Sequence, residues 1–472
     1  MDEKAKKLLE GPITASLLTL AVPIILANIL QAGYQLTDAF WVGRLGGSAV
    51  AAVSVSGPIM FLSIALGTGL AIAGSTLIAQ YFGARNREMV NHVAAQTLLM
   101  IIVVSMVLGA IGYAVTPYIL HRMGVTPEVY QGALGFMRVS FIGLVFNFFF
   151  FMFQSIMRGI GEAKLPVYIV LGTVLLNFLL DPLFIFGWGP IPGAGVMGAA
   201  LATLGTQMLA ACIGLMVLVR GKYGIHLSLP DFTPDFAFMK RSFFLGLPAS
   251  IEMSARALGL TVLTFLIASF GTLTVAAYGI GGNILQIVII PAMGLSMAIS
   301  TLVGQNIGAG NIKRAADIGR LGAWLGFSLL TGVGVIVFIF APYIVAFFIP
   351  GDAQVIALGA TFLRIISLSW GFMGIQFSLT GVLRASGNMM TTMIITLVSQ
   401  WVLQLPLAYM LSKHTSLGTS GLWWAFPVTN VLTALITIAW YRKGSWKKAR
   451  LTAEEQFAEK VSEEIIIEEG MR

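Results

Sequence analysis

The sequence predicts an all-α polytopic membrane protein with twelve transmembrane helices. They fall in two six-helix lobes related by a pseudo-two-fold axis along the membrane normal. Three observations carry that reading: the apolar composition, the spacing of the apolar runs, and an internal repeat. Of 472 residues, 57% are hydrophobic and 10% charged, with a mean hydropathy of +0.89; a soluble chain carries about 25% charged residues. Apolar runs of about twenty residues recur, each long enough to cross a hydrocarbon core roughly 30 Å thick. They are continuous rather than alternating, which excludes a transmembrane β-barrel.

The runs lie near residues 14–40, 49–78, 92–119, 132–157, 165–187 and 195–219, then 241–269, 274–303, 319–346, 356–383, 390–411 and 420–441. The repeat joins the two sets of six. STLIAQYFGARN at 75–86 and STLVGQNIGAGN at 300–311 agree at seven of twelve positions, 225 residues apart. The same offset pairs Pro23 with Pro248, and an offset of 226 pairs Arg158 with Arg384. Six helices is an even number, so both halves insert with the same orientation and leave a cavity between them. The divisions are a leader at 1–13, an N-lobe at 14–219, a linker at 220–240, a C-lobe at 241–443 and a charged tail at 444–472.

Basic residues set the orientation. On one side of the predicted spans lie 22 of the 28 Lys and Arg, including Lys4, Arg85, Arg220, Lys313, Arg384 and Lys443. By the positive-inside rule that side, with both termini, is cytoplasmic, and the net charge of +8 needs no nucleic acid to explain it. The leader lacks a small-residue cleavage site, so it reads as retained. A lone Cys212 excludes an internal disulfide framework.

Taken together, the twelve helices as 6+6, DAFWVGRLG at 38–46, the Gln-X-X-Gly-Ala-X-Asn loops and NFLLDPLF at 177–184 resemble the multidrug and toxic compound extrusion (MATE) family over residues 10–443. Asp38 with NFLLDPLF is similar to the DinF-like branch more than to the NorM branch. The tenth span departs from NorM-type members, which carry an acidic residue there tied to sodium coupling; here it has none. The resemblance implies an antiporter that expels organic, mainly cationic compounds from a bacterial or archaeal cell in exchange for protons or sodium. It would act in the plasma membrane as a monomer, without a cofactor.

Only Asp38, Asp181 and Glu252 are acidic within the spans. A charged carboxylate at a helix centre costs about 2.5–3.5 kcal/mol on insertion scales, so each is a functional candidate facing a cavity or a partner. Gln31, Tyr34 and Asp38 share one face of the first helix; Thr173, Asn177 and Asp181 share one face of the fifth. The two stripes are expected to converge on one pocket, Asp38 and Asp181 as coupling residues and the other four as ligands of substrate or ion. Alternatives stand beside this. Asp38 could be an interfacial residue under Phe40 and Trp41, and Asp181 with Pro182 could start a turn. Glu252 and Arg256, one turn apart, read as a structural ion pair. Pro23 and Pro248 are expected to kink helices one and seven, Pro23 serving as a hinge. Phe148 to Phe153 supply an adaptable wall, most of it facing lipid.

Two carboxyl groups held together away from water exchange protons as a unit. Proton and organic cation would then compete for one charge. Other function classes fit less well. A lipid-linked oligosaccharide flippase would need several basic residues in its cavity, and only Arg256 is intramembrane. An enzyme would need catalytic or metal-ligating groups at depth, whereas His92, His121, His226 and His414 all fall at helix ends or loops with no metal spacing.

Overall fold

A computed structural model describes residues 8–448 and 450–452. Six helices come first: α1 (Ile13–Gly43), α2 (Gly47–Gly83), α3 (Arg87–Arg122), α4 (Pro127–Gly159), α5 (Lys164–Phe186) and α6 (Val196–Arg220). A two-residue hairpin, β1 (Gly187–Trp188) with β2 (Ile191–Pro192), turns the chain between α5 and α6. The later helices are α7 (Phe236–Ala268), α8 (Thr272–Gly308) and α9 (Ile312–Phe348), then α10 (Ala353–Ser367) and α11 (Trp370–Ala385), and last α12 (Met389–Lys413) and α13 (Thr419–Lys443). Eleven are long and apolar enough to cross a membrane, and α10 with α11 makes a twelfth span bent by 50°.

The repeat extends to packing. In the first six, α2 packs on α3 and α4, α4 on α3 and α6, and α5 on α6. In the later set α8 packs on α9 and on both halves of the broken span, that span on α9 and α13, and α12 on α13. The shared loop motif is a helix stop. The Asn86 N–H donates to the Tyr81 carbonyl at 3.0 Å, and that of Asn311 to Asn306 at 2.8 Å. The residue before each Asn, Arg85 or Gly310, takes a left-handed φ of 61° or 78°. This is the Schellman ending, which satisfies carbonyls that the last helical turn leaves free.

The chain divides into two compact units. Of the described residues, one unit spans Leu26–Ser250, and the other joins 8–25 to those from Ile251 to Thr452. The divisions fall inside α1 and α7, each within three residues of Pro23 or Pro248. In the first unit the Phe148–Phe153 run packs on small residues of neighbouring helices rather than facing lipid. Phe148 lies against Gly67, Met152 against Gly74 and Phe153 against Gly214, all three aromatic or thioether side chains buried. A methyl group at Gly67 would collide with the Phe148 ring.

A second expectation changes, and three segments between and beyond the spans gain definition. The tenth span is not one helix: it breaks at Leu368–Ser369, where Ser369 donates to the Ile366 carbonyl and Asn430 donates to Ser369. The linker is held to α3: Gln96 donates to the carbonyls of Asp231 and Thr233 and accepts from the Asp235 N–H. The leader is partly packed, with Leu8 and Leu9 buried and the Arg314 guanidinium donating to the Leu8 and Gly11 carbonyls. The start of the tail is packed too, since Trp446 is buried, stacks on Tyr441 and donates to its carbonyl. The rest of the tail, 453–472, lies outside the described residues.

Candidate functional site

The first unit brings the two aspartates together. Apolar packing at the ends of α1 and α5 sets their approach: the Trp41 ring lies 5.6 Å from Phe178 and 6.3 Å from Phe186. Trp41 is three residues past Asp38, and Phe178 three before Asp181, so the aromatic contact sits one turn from each carboxyl. Arg44 closes the cluster, its guanidinium 4.6 Å from the Phe40 ring centre and 5.0 Å from that of Trp41.

The Asp38 and Asp181 side chains are close neighbours, with Asn177 beside the pair. Asn177 Nδ2 donates to Asp181 Oδ1 at 3.1 Å, and Thr203 Oγ1 of α6 donates to Asp38 Oδ2 at 3.3 Å. That leaves Asp38 Oδ1 and Asp181 Oδ2 buried without a donor among the described residues, as is Asn177 Oδ1. Buried acceptors are almost always paired, so such a group of oxygens suits a proton or a cation.

The two carboxyls differ in access. Asp38 is half-buried on the wall of a cavity of about 440 Å³, shared with Gln35, Asn147, Thr203 and Gln207. Asp181 is fully buried and is not part of that wall. A pocket lined by both carboxylates is therefore corrected to one wall residue with a second acid behind it. The aspartate in Asp181-Pro182 starts no turn, since α5 continues to Phe186. Tyr34 is buried and hydrogen-bonded to Thr206 of α6. Thr173 is buried and donates to the Val170 carbonyl; Gln31 is half-buried and off the cavity wall. Thr203, Thr206, Asn147 and Gln207 escaped sequence reading. Their only signal was the i, i+3, i+4 spacing of Thr203, Thr206 and Gln207 along α6.

Glu252 belongs to the second unit and keeps the expected ion pair with Arg256, but a second arginine lies closer. Arg384 donates to its Oε1 at 2.8 Å, Thr396 to Oε1 and Thr392 to Oε2 at 3.0 Å each. Arg256 is 3.9 Å away. The close partner is thus a residue of α11 that the sequence counted among the cytoplasmic cations.

With that geometry in view, likeness to known proteins becomes specific. The MatE family model matches residues 23–183 and again 248–410, starting at Pro23 and at Pro248. The chain belongs to the MatE family. It is 30% identical to the probable multidrug resistance protein YoeA of Bacillus subtilis, covering 91% of this chain and 94% of that one. It is 27% identical to the probable multidrug resistance protein NorM of Thermotoga maritima, covering 95% and 96%. Among solved structures, an outward-facing multidrug resistance MATE family transporter superposes with a TM-score of 0.88 at 24% identity, over 95% of this chain and all of that one. The MATE fold, two bundles amounting to twelve spans, is therefore that of this multi-pass membrane transporter.

Proposed function

We propose that this MATE protein is a secondary antiporter that expels organic, mainly cationic compounds in exchange for protons. The observation that carries the proposal is the Asp38–Asp181 pair, one carboxyl on a cavity wall and one sealed behind it. Two acids at close quarters do not readily ionise together, so one proton held between the two carboxyls relieves the pair, each of which carries an oxygen without a donor among the described residues. A cation entering the cavity meets Asp38 first. Its positive charge takes the place of the shared proton, and loss of the cation lets the proton return. Coupled to alternating access, that exclusion is sufficient for antiport. Asn177 and Thr203 hold the carboxyls in register, Tyr34 fixes α1 against α6, and the cavity walls of Gln35, Asn147 and Gln207 offer neutral polar contacts to varied substrates.

Supporting this reading, relatives in Bacillus and Thermotoga carry multidrug resistance names. Pro23 serves as the flex point of α1, since it removes one backbone hydrogen bond and the division between compact units follows it by two residues. The plasma membrane, with both termini cytoplasmic, is the setting that the distribution of Lys and Arg supports.

Sodium is the second reading. Asp38 Oδ1, Asn177 Oδ1 and Asp181 Oδ2 are three acceptors without donors, a set that a small hard cation would accept. Reconstituted protein tests the two directly. Export of ethidium from proteoliposomes is expected under a proton gradient alone. Export under a sodium gradient alone, with none under protons, would replace the proton by sodium at the same residues.

A further inference from the structure

The second unit holds its own cavity, of about 360 Å³, which the proton exchange proposed above does not use. Its polar wall includes Arg256 of α7, Asn283 of α8, Gln376 of α11, Gln400 of α12 and Thr429 of α13. Part of α12 is a π-helix, Val398–Gln404, just before Pro406. The widened turn keeps Thr396, Gln400 and Gln404, four residues apart, on the cavity face.

Charge and hydrogen-bonding capacity both point one way. Both oxygens of Glu252 are occupied by Arg384, Thr392 and Thr396. One carboxylate therefore stands between two guanidiniums, and Arg256, the more distant one, faces the cavity with a third of its side chain exposed. Of the other acids of the described second unit, Asp317 pairs with Arg320, Asp352 caps the start of α10, and Glu10 is exposed in the N-terminal segment; none lines the cavity. The wall also carries Trp370 Nε1, Gln400 Nε2 and Thr429 Oγ1, each more than nine-tenths buried and without a partner among the described residues. An indole N–H and a guanidinium can only donate. A buried donor left unpaired is costly, and an anionic acceptor relieves it best. The rest of the wall is aromatic, with Tyr278, Phe377 and Phe426, and Arg256 lies 5.6 Å from the Phe377 ring centre.

We infer that this cavity binds the carboxylate of an aromatic organic acid or zwitterion, Arg256 and the Trp370 N–H taking the anion and the aromatic wall taking the ring. The volume lies within the range of about 300–1,000 Å³ found for small-molecule sites. This site is independent of the Asp38–Asp181 exchange and is tested by binding alone. Purified full-length protein in phosphatidylcholine nanodiscs is titrated with dansylglycine and with its uncharged amide, read by dansyl fluorescence. The wild type is expected to bind the acid at least about tenfold more tightly than the amide, the range of a hydrogen bond to a charged group. R256Q is expected to abolish that discrimination and R256K to keep part of it. Because R256Q also alters the Glu252 cluster, N283D supplies a second arm: it sets a carboxylate on the α8 part of the wall, at a residue with no bond to that cluster among the described ones. It should weaken the acid several-fold and leave the amide unchanged. Equal affinity of acid and amide in the wild type overturns the inference. So does unaltered discrimination in R256Q and N283D.

Discussion

On the wall of the first unit's cavity, the buried polar atoms without partners among the described residues are acceptor oxygens of Asp38 and Asn147, with those of Asn177 and Asp181 close by; the unpartnered N–H donors of that unit, Trp41 Nε1 and Arg138 Nε, are not wall residues. On the wall of the second unit's cavity the unpartnered atoms are the Trp370 and Gln400 N–H groups and the Thr429 hydroxyl, beside an arginine. The two units share helix order, loop motif and packing scheme, yet the unpartnered atoms on their cavity walls differ in kind. The acids have parted in role as well. Asp38 and Asp181 stand with hydroxyl and amide neighbours and no described cation, whereas Glu252 is saturated by Arg384 and two threonines. A repeat can thus conserve a scaffold while its buried chemistry diverges, because the fold depends on helix ends and small-residue contacts that lie away from the cavities.

The contrast breaks most sharply at the acids. Asp38→Asn should reduce gradient-driven ethidium export to background without lowering thermal stability. Asn keeps the size and most of the hydrogen bonding of Asp but does not ionise, and the protein no longer has to accommodate the charge. Wild-type export by the mutant, with the same pH dependence, would remove Asp38 from the exchange. Glu252→Gln should do the reverse and destabilise. It leaves Arg384 and Arg256 without a counter-charge, and removal of one partner from a buried pair costs about 3–5 kcal/mol. Thermal denaturation checks it, and the double mutant E252Q/R384Q should recover part of the loss. If E252Q is as stable as the wild type, Glu252 is not held as an ion pair and the assigned division of roles fails.

Two smaller effects sharpen the comparison. Thr203→Val removes the one hydroxyl that donates to Asp38 Oδ2, a bond of about 0.5–1.5 kcal/mol that rises toward 3 when the acceptor is charged. Export should fall several-fold and its pH profile should move, with folding unchanged; an unmoved profile would make Thr203 a packing residue only. Trp370→Phe deletes an unpartnered N–H while keeping an aromatic ring in the core. Stability should change by no more than about 1 kcal/mol, since lost packing is offset by removal of an unsatisfied donor. Dansylglycine affinity should fall by about three- to tenfold, measured by the same fluorescence titration.

Much of this molecule follows from properties that residues carry locally. A helix must satisfy its backbone internally in hydrocarbon, so the number and lengths of the spans are legible from apolar runs alone. The period of 3.6 residues likewise places Asn177 and Asp181 on one face, and their hydrogen bond is there. The Gln-X-X-Gly-Ala-X-Asn loop reads as a repeat because a helix stop is made by consecutive residues. What the sequence does not carry is which face meets which helix. That Thr203 of α6 reaches Asp38, that Arg384 joins the neighbouring Arg256 at Glu252, and that Asp181 approaches Asp38 all depend on contacts between residues 132 to 165 positions apart, or between α1 and α5. The break at Ser369 was equally hidden, since its partner Asn430 lies 61 residues away. Hydropathy and helical period act within a single segment, whereas buried charge and orphaned donors are satisfied, or left unsatisfied, only when separate helices have packed.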